Sequence, residues 1–182
     1  MKISREEWLS SGLALLAEHG SEVIKIDRLC RHLKVTKGSF YHYFANRQAF
    51  VDELLAYWLK KDTDEVIESL SGMADPHARG QALNQGVEQA DLKPEMALRI
   101  WGHQDPGVAE AVARVDKRRL DYLTSLVQEQ TGRSDQAVLM AKLAYAHFVG
   151  CQTLGDLVSK DEWAQMDLLL HQMVLNQLEG PP

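Results

Sequence analysis

Apolar positions along this chain recur every three or four residues and almost nowhere every second residue, so the pattern predicts an all-α protein. A first helix is marked by Trp8, Leu9, Leu13 and Leu16, opened by a Ser4/Glu7 capping box and stopped at Gly20. Ile26, Leu29, Cys30 and Leu33 then repeat at i, i+3, i+4 and i+7, the stripe of a short amphipathic helix. Lys34 and Val35 make a turn, and Thr36 stands where an N-cap opens the next helix, on which Phe40 and Phe44 fall one turn apart and face inward. Asn46 caps a long helix carrying Phe50, Leu54, Leu55 and Trp58 and ending around Ser71–Gly72. After a loop over Ser71 to Pro76, helices are expected over His77–Ala90, from Lys93-Pro94 to Gly102, and from the cap Asp105 and Pro106 through Gln130. Thr131-Gly132 ends the last of these; Ser134 caps a helix to about Val158, and Asp161 opens the final one, to Glu179. Nine helices result.

Two short helices around a tight turn, from Ile26 to Arg47, have the shape of a helix-turn-helix. With Phe40 and Phe44 turned inward, Lys37, Gly38, Ser39, Tyr41, His42 and Tyr43 occupy the outer side of its second helix. These residues suit phosphates and base edges. The stretch V-T-K-G-S-F-Y-H-Y-F-A-N-R, residues 35–47, closely resembles the recognition-helix signature of TetR-type transcriptional repressors. The resemblance is specific over about the first third of the chain and elsewhere lies in helical layout and length. It implies a DNA-binding head over residues 1–47 and an effector-binding and dimerisation body over residues 48–182. In the head, Lys37 and Ser39 would meet base edges, Gly38 would allow close approach, and Thr36, Tyr41, His42, Tyr43 and Arg47 would meet phosphates. Three positions depart from the family pattern. Lys34 occupies a turn position where glycine is usual, which places a non-glycine residue at positive φ. Ile24-Lys25 replaces a usual Thr-Thr, so the Lys25 ammonium takes over a phosphate anchor, and Cys30 fills a site where alanine is common.

From Leu139 to Val149 the apolar positions wrap nearly all the way round the helix, so it needs neighbours on several sides. Trp163, Met166, Leu170, Met173 and Val174 give the final helix a broad apolar face, and Gly150 and Gly155 would permit close backbone approach. Paired with Phe148, these residues form the seam of a four-helix bundle between two copies, the homodimer that the resemblance implies. Two heads are needed to read a palindromic operator on double-stranded DNA. Both helices serving as the core of a monomer is the competing reading.

A chain of 182 residues supports one sizeable core and not two independent domains. Its net charge of -6 looks wrong for a DNA binder until divided: residues 1–61 hold 10 Lys/Arg against 7 Asp/Glu, while residues 62–182 hold 10 against 19. Only the head is basic. No apolar run approaches a membrane span and the N-terminus lacks a signal peptide's apolar core, so a cytoplasmic protein without membrane contact is expected. Cys30 and Cys151 should remain reduced.

Trp58, Trp101, His103, Tyr122, Tyr145, His147, Phe148, Cys151 and Gln152 put aromatic and polar groups into otherwise apolar helices, the mixture that lines small-molecule sites. Any one of them alone reads more simply as core or boundary. Together they mark a pocket for a small-molecule effector of undetermined chemistry. Helical metal-ligand spacings, a glycine-rich phosphate loop, a nucleophile elbow and Cys-x-x-Cys are all missing, so no metal or cofactor and no enzymatic activity is expected. A helical adaptor for a partner protein is the alternative function, and an all-helical enzyme a weaker one.

Overall fold

A computed structural model of the chain describes residues 3–179, with the side chains of residues 171 and 173–179 outside the description. It is all-helical: α1 Arg5–His19, α2 Ile26–His32, α3 Lys37–Tyr43, α4 Arg47–Leu59, α5 Glu65–Ser71, α6 Pro76–Gln89, α7 Lys93–Gly102, α8 Pro106–Thr131, α9 Ser134–Leu154 and α10 Lys160–Glu179. A π turn over Lys60–Asp64 joins α4 to α5 in one continuous helix. Nine helices therefore stand among the described residues, as the sequence pattern predicts. The π turn has a physical reason. Buried Trp58 and Thr63 are five residues apart, more than an α-helical turn spans, and the wider turn keeps Thr63 on the buried side.

Local signals place most helix ends. Ser4 and Glu7 exchange hydrogen bonds in a capping box, which holds the Glu7 carboxyl below its usual range, and Gly20 ends α1 at φ 73°. Asn46 accepts from the Ala49 amide at 2.9 Å, and Asp105 caps α8 ahead of Pro106. Lys34 sits at φ 55°, the non-glycine left-handed residue expected of this turn, and the Val35 amide donating to the Cys30 carbonyl at 2.9 Å follows it. Five boundaries differ from the sequence expectation. Thr36 holds the N-cap position of α3, but its hydroxyl makes no capping bond. Pro76 belongs to the first turn of α6, capped by Asp75, and not to the preceding loop. Ser134 does not cap α9: its hydroxyl accepts from Gln128 Nε2 at 2.8 Å, and the helix stops at Leu154, where Gly155 turns at φ 54° into a short 3-10 segment. The start of α10 is fixed by a Ser159/Glu162 capping box and not by Asp161.

The chain divides into two compact units. The first takes the chain through Val66 together with Asp91–Asp116. Its core collects Trp8, Leu16, Ile24, Leu29, Phe40, Phe44, Phe50, Leu54 and Trp58, continuous with Leu98, Trp101, Val108, Ala111 and Val115. Helix α7 and the start of α8 thus share one core with the helix-turn-helix. A buried carboxylate, Glu95 at 3% exposure, is held by Arg99 at 2.9 Å, and Arg99 also reaches Asp116 at 2.7 Å, tying α7 to α8. In the second unit, Ile67–Ala90 with the chain from Lys117 onward, α6 meets α8 through the Arg79–Glu129 ion pair and through Gln130 Nε2 donating to the Pro76 carbonyl at 2.8 Å.

Helix α1 crosses α4 at Gly12. A β-carbon there would lie 2.7 Å from Phe50 Cζ and 3.1 Å from Leu54 Cδ1, both in the packed core. Alanine would gain about 1 kcal/mol of helix propensity. Overpacking against a ring that cannot turn aside costs about 1 to 3 kcal/mol. Gly12→Ala should therefore lower the denaturant midpoint by a net loss of about 1 kcal/mol, where an exposed helical glycine would show a gain.

Candidate nucleic-acid interface

The seven residues of α3 owe their placement to two aromatic anchors. Phe40 and Phe44 are buried and meet Trp8 edge-on at 5.5 and 6.3 Å, while Phe50 closes the cluster at 5.8 and 5.0 Å. The opposite side of α3 is left to solvent. Lys37, Gly38, Tyr41 and His42 are exposed, Ser39 and Tyr43 half-buried, and Thr36 is exposed at the entry. Tyr41, 55% exposed, stands edge-on to Phe40 at 5.6 Å, so its ring is braced while its hydroxyl end projects. His42 packs against Tyr43 at 4.8 Å, and Tyr43 itself leans on the core. Lys25 lies exposed ahead of α2 with its ammonium 3.2 Å from Glu22. A β-carbon on Gly38 would meet only Thr36 Oγ1, at an ordinary 3.6 Å. Nothing inside the molecule requires glycine there.

Three cations make contacts that the sequence did not reveal. Arg47 Nε donates to the Ile24 carbonyl at 2.6 Å, and its guanidinium lies 5.8 Å from the centre of the Trp101 ring. It links the start of α4 to the entry of α2 and to α7. Arg5 donates to both oxygens of Glu53 at 2.7 and 2.6 Å, to the Tyr43 carbonyl at 2.9 Å, and covers the Phe44 ring, so it fixes the C-terminal end of α3. Lys37 Nζ lies 2.6 Å from Asp27 Oδ1, and this hydrogen bond holds the ammonium pKa above its ordinary value. No spacing rule links position 5 to 43 or 27 to 37; only the folded head brings them together.

The residues expected to line an effector pocket divide between the units. Trp58 and Trp101 are core residues of the first unit, and His103 is exposed beyond the end of α7. Tyr122, Tyr145, His147, Phe148, Cys151 and Gln152 belong to the second. There Phe148 stacks on Tyr145 at 5.7 Å, meets Trp163 at 6.2 Å and lies under Arg119. His147 pairs with Asp167 at 2.8 Å; burial nonetheless outweighs this partner and raises the Asp167 carboxyl pKa. Cys151 Sγ lies within hydrogen-bonding reach of the two ring nitrogens of His147, at 3.6 and 3.8 Å, and burial pushes its thiol pKa up. The sulfur is packed as a small apolar group and is not poised as a thiolate. Burial likewise raises the Tyr122 phenol, whose oxygen lies beside Arg79. Among the described residues, no group of three or more His, Cys, Asp or Glu could hold a metal ion.

On α9, Ala137, Ala141 and Tyr145 form the buried stripe, while Val138, Leu139 and Leu143 are exposed, Leu139 at 72%. Leu157 is 81% exposed, and Met166, Leu168 and Leu169 are exposed on α10. Of the residues expected in a dimer seam, Met166 lies on this open face and Leu170 is half-buried, whereas Phe148 and Trp163 pack on each other within the chain. Gly150 and Gly155 approach no neighbouring atom; Gly155 serves its positive φ instead. Met173 and Val174 lie outside the described side chains. No described helix is long and apolar enough to cross a membrane.

Residues 9–54 match the family described as bacterial regulatory proteins, tetR family. Two solved structures share the fold. One is Escherichia coli NemR in its reduced form, 20% identical over 98% of both chains with a TM-score of 0.75. The other is a protein assigned as a transcriptional regulator from Pseudomonas aeruginosa PAO1, 16% identical over 93% of this chain and 89% of its own, with a TM-score of 0.71. No curated protein matches the chain. Residues 9–54 are thus similar to the N-terminal domain of the tetR family of bacterial regulatory proteins, and the chain as a whole shares the fold of these two structures.

Proposed function

We propose that the protein is a ligand-released repressor that binds a palindromic operator as a homodimer, with the outer face of α3 in the major groove. The observation that carries this reading is the division of one short helix between two tasks. Phe40 and Phe44 are consumed by the core, and what remains outside is Lys37, Gly38, Ser39, Tyr41 and His42, a set of donors with a glycine that no internal contact explains. N-terminal residues of a recognition helix meet base edges, so Lys37 and Ser39 read sequence, while Thr36, Tyr41, His42 and Lys25 serve the backbone. Tyr43 contributes mainly through its packing.

The exposed apolar residues Leu139, Leu143, Leu157, Met166 and Leu169 are where a second copy docks, since so many large apolar side chains left to water on α9, the 3-10 segment and α10 are costly. A two-fold interface sets two recognition helices at the spacing of operator half-sites. The effector site belongs to the second unit, on the helices that carry Tyr122, His147, Phe148, Cys151 and Gln152. Ligand binding there releases DNA to the extent that it prefers a form unable to match the operator.

Tyr41→Ala and Lys37→Ala should each weaken operator binding by about 1 to 3 kcal/mol without loss of helicity, read by gel shift and circular dichroism. Wild-type affinity in both would remove α3 from the interface. Arg47→Ala is expected to act differently from a bare phosphate contact. Losing its hydrogen bond to the Ile24 carbonyl and its place over Trp101 should cost about 1 to 2 kcal/mol of stability in a thermal melt. An unchanged melting temperature with weakened binding to every duplex would return it to the role of phosphate anchor.

For the dimer, Leu169→Asp and Leu139→Asp should give monomers in sedimentation, with operator affinity falling in step. A folded wild-type monomer at micromolar concentration contradicts the dimer.

A further inference from the structure

Helix α2 carries a carboxylate onto the surface where α3 is offered. Asp27, in the first turn of α2, reaches across the helix-turn-helix to Lys37 at the first turn of α3, with Oδ1 and Nζ 2.6 Å apart. Its chain neighbours Arg28, Arg31 and Lys34 are exposed cations, so this carboxylate stands among basic residues. Stability does not account for it. Both side chains are more than half exposed, at 62% and 61%, and ion pairs that open to water add little.

We propose that Asp27 is a specificity residue, which holds the Lys37 ammonium at a fixed point so that it serves base edges and not whichever phosphate is nearest. The inference rests on the reading of α3 as the DNA-contacting helix. A lysine ammonium is a point charge on a flexible four-carbon stem with three donors. Left free at a duplex, it neutralises a phosphate on any sequence equally well and adds to non-specific affinity. With one donor engaged by Asp27, its charge is locally balanced and its stem is confined, and two donors remain for acceptors that only some base pairs present, the O6 and N7 of guanine above all. Asp27 therefore weakens binding to wrong sequences more than it weakens binding to the right one, by withholding the Lys37 charge from phosphates, which is how discrimination is gained.

The test uses the full-length protein and two labelled duplexes: one enriched by the wild type from a randomised pool, and one with the same bases scrambled, each titrated over a salt series by fluorescence anisotropy. Asp27→Asn keeps the shape and an acceptor oxygen but not the charge. It should bind the scrambled duplex about tenfold more tightly near 0.1 M salt and steepen the slope of log affinity against log salt by about one, as one more phosphate contact does. The ratio of enriched to scrambled affinity should fall by about the same factor, and Asp27→Ala should repeat the change in slope. In a Lys37→Ala background the gain should vanish. Scrambled-duplex affinity and slope that stay at wild-type values in Asp27→Asn overturn the proposal. So does an equal gain in the Lys37→Ala background, which would make Asp27 a bare repulsive charge. A wild type that binds neither duplex refutes the DNA reading itself, a result distinct from either of these.

Discussion

The outward face of α3 depends on an aromatic anchor. Seven residues are too few for a helix to persist in water, and α3 has no side-chain cap at its start. It exists because Phe40 and Phe44 are driven into a cluster with Trp8 and Phe50 at ring separations of 5.0 to 6.3 Å. Each edge-on pair adds about 0.5 to 1.5 kcal/mol beyond the area it buries. Once those rings are fixed, the direction of every outward side chain on the helix is fixed too. Arg5 completes the hold from the other end, with a guanidinium shared among the Glu53 carboxylate, the Tyr43 carbonyl and the Phe44 face.

The same core explains why the head is not a freestanding three-helix module. Leu98 and Trp101 of α7 and Val108 of α8 are buried in continuity with it, and Gly102 lets α7 approach Ala109 closely, at 3.3 Å from a β-carbon position to the Ala109 Cα. Arg47 sits at the join, bound to the Ile24 carbonyl on one side and over Trp101 on the other. Arg47 thus links α7 to the carbonyl that precedes α2.

Local and periodic information was legible in the sequence. The stripe of Ile26, Leu29, Cys30 and Leu33, the inward Phe40 and Phe44, the left-handed Lys34 and the caps at Ser4, Asn46 and Asp105 all follow from spacing within a few residues, and the structure has them. Contacts between distant positions were not legible. Trp58 and Trp101 carry the composition of a binding pocket, yet they fill a core, because aromatic area suits both uses and only packing decides. The contact of Arg47 was hidden because the Ile24 carbonyl it binds is 23 positions away. Gly12 gave no signal, since a helical glycine has meaning only when Phe50 crosses over it. The Ser159/Glu162 box was readable and was masked by the nearby Asp161, an equally plausible cap. On α9 and α10 the excess of apolar positions was visible, but which stripe faces inward depends on the choice of Ala137, Ala141 and Tyr145 as the buried line.

The central claim is that two copies of this chain present the outer faces of their α3 helices to one DNA duplex. Selection from a pool of fully randomised duplexes with the purified full-length protein, followed by sequencing of what is retained, tests it most directly. The account predicts enrichment of an inverted repeat whose half-sites lie about one helical turn, or a multiple of it, apart. Retained duplexes with no common sequence, or with a single half-site and no symmetry, would contradict it.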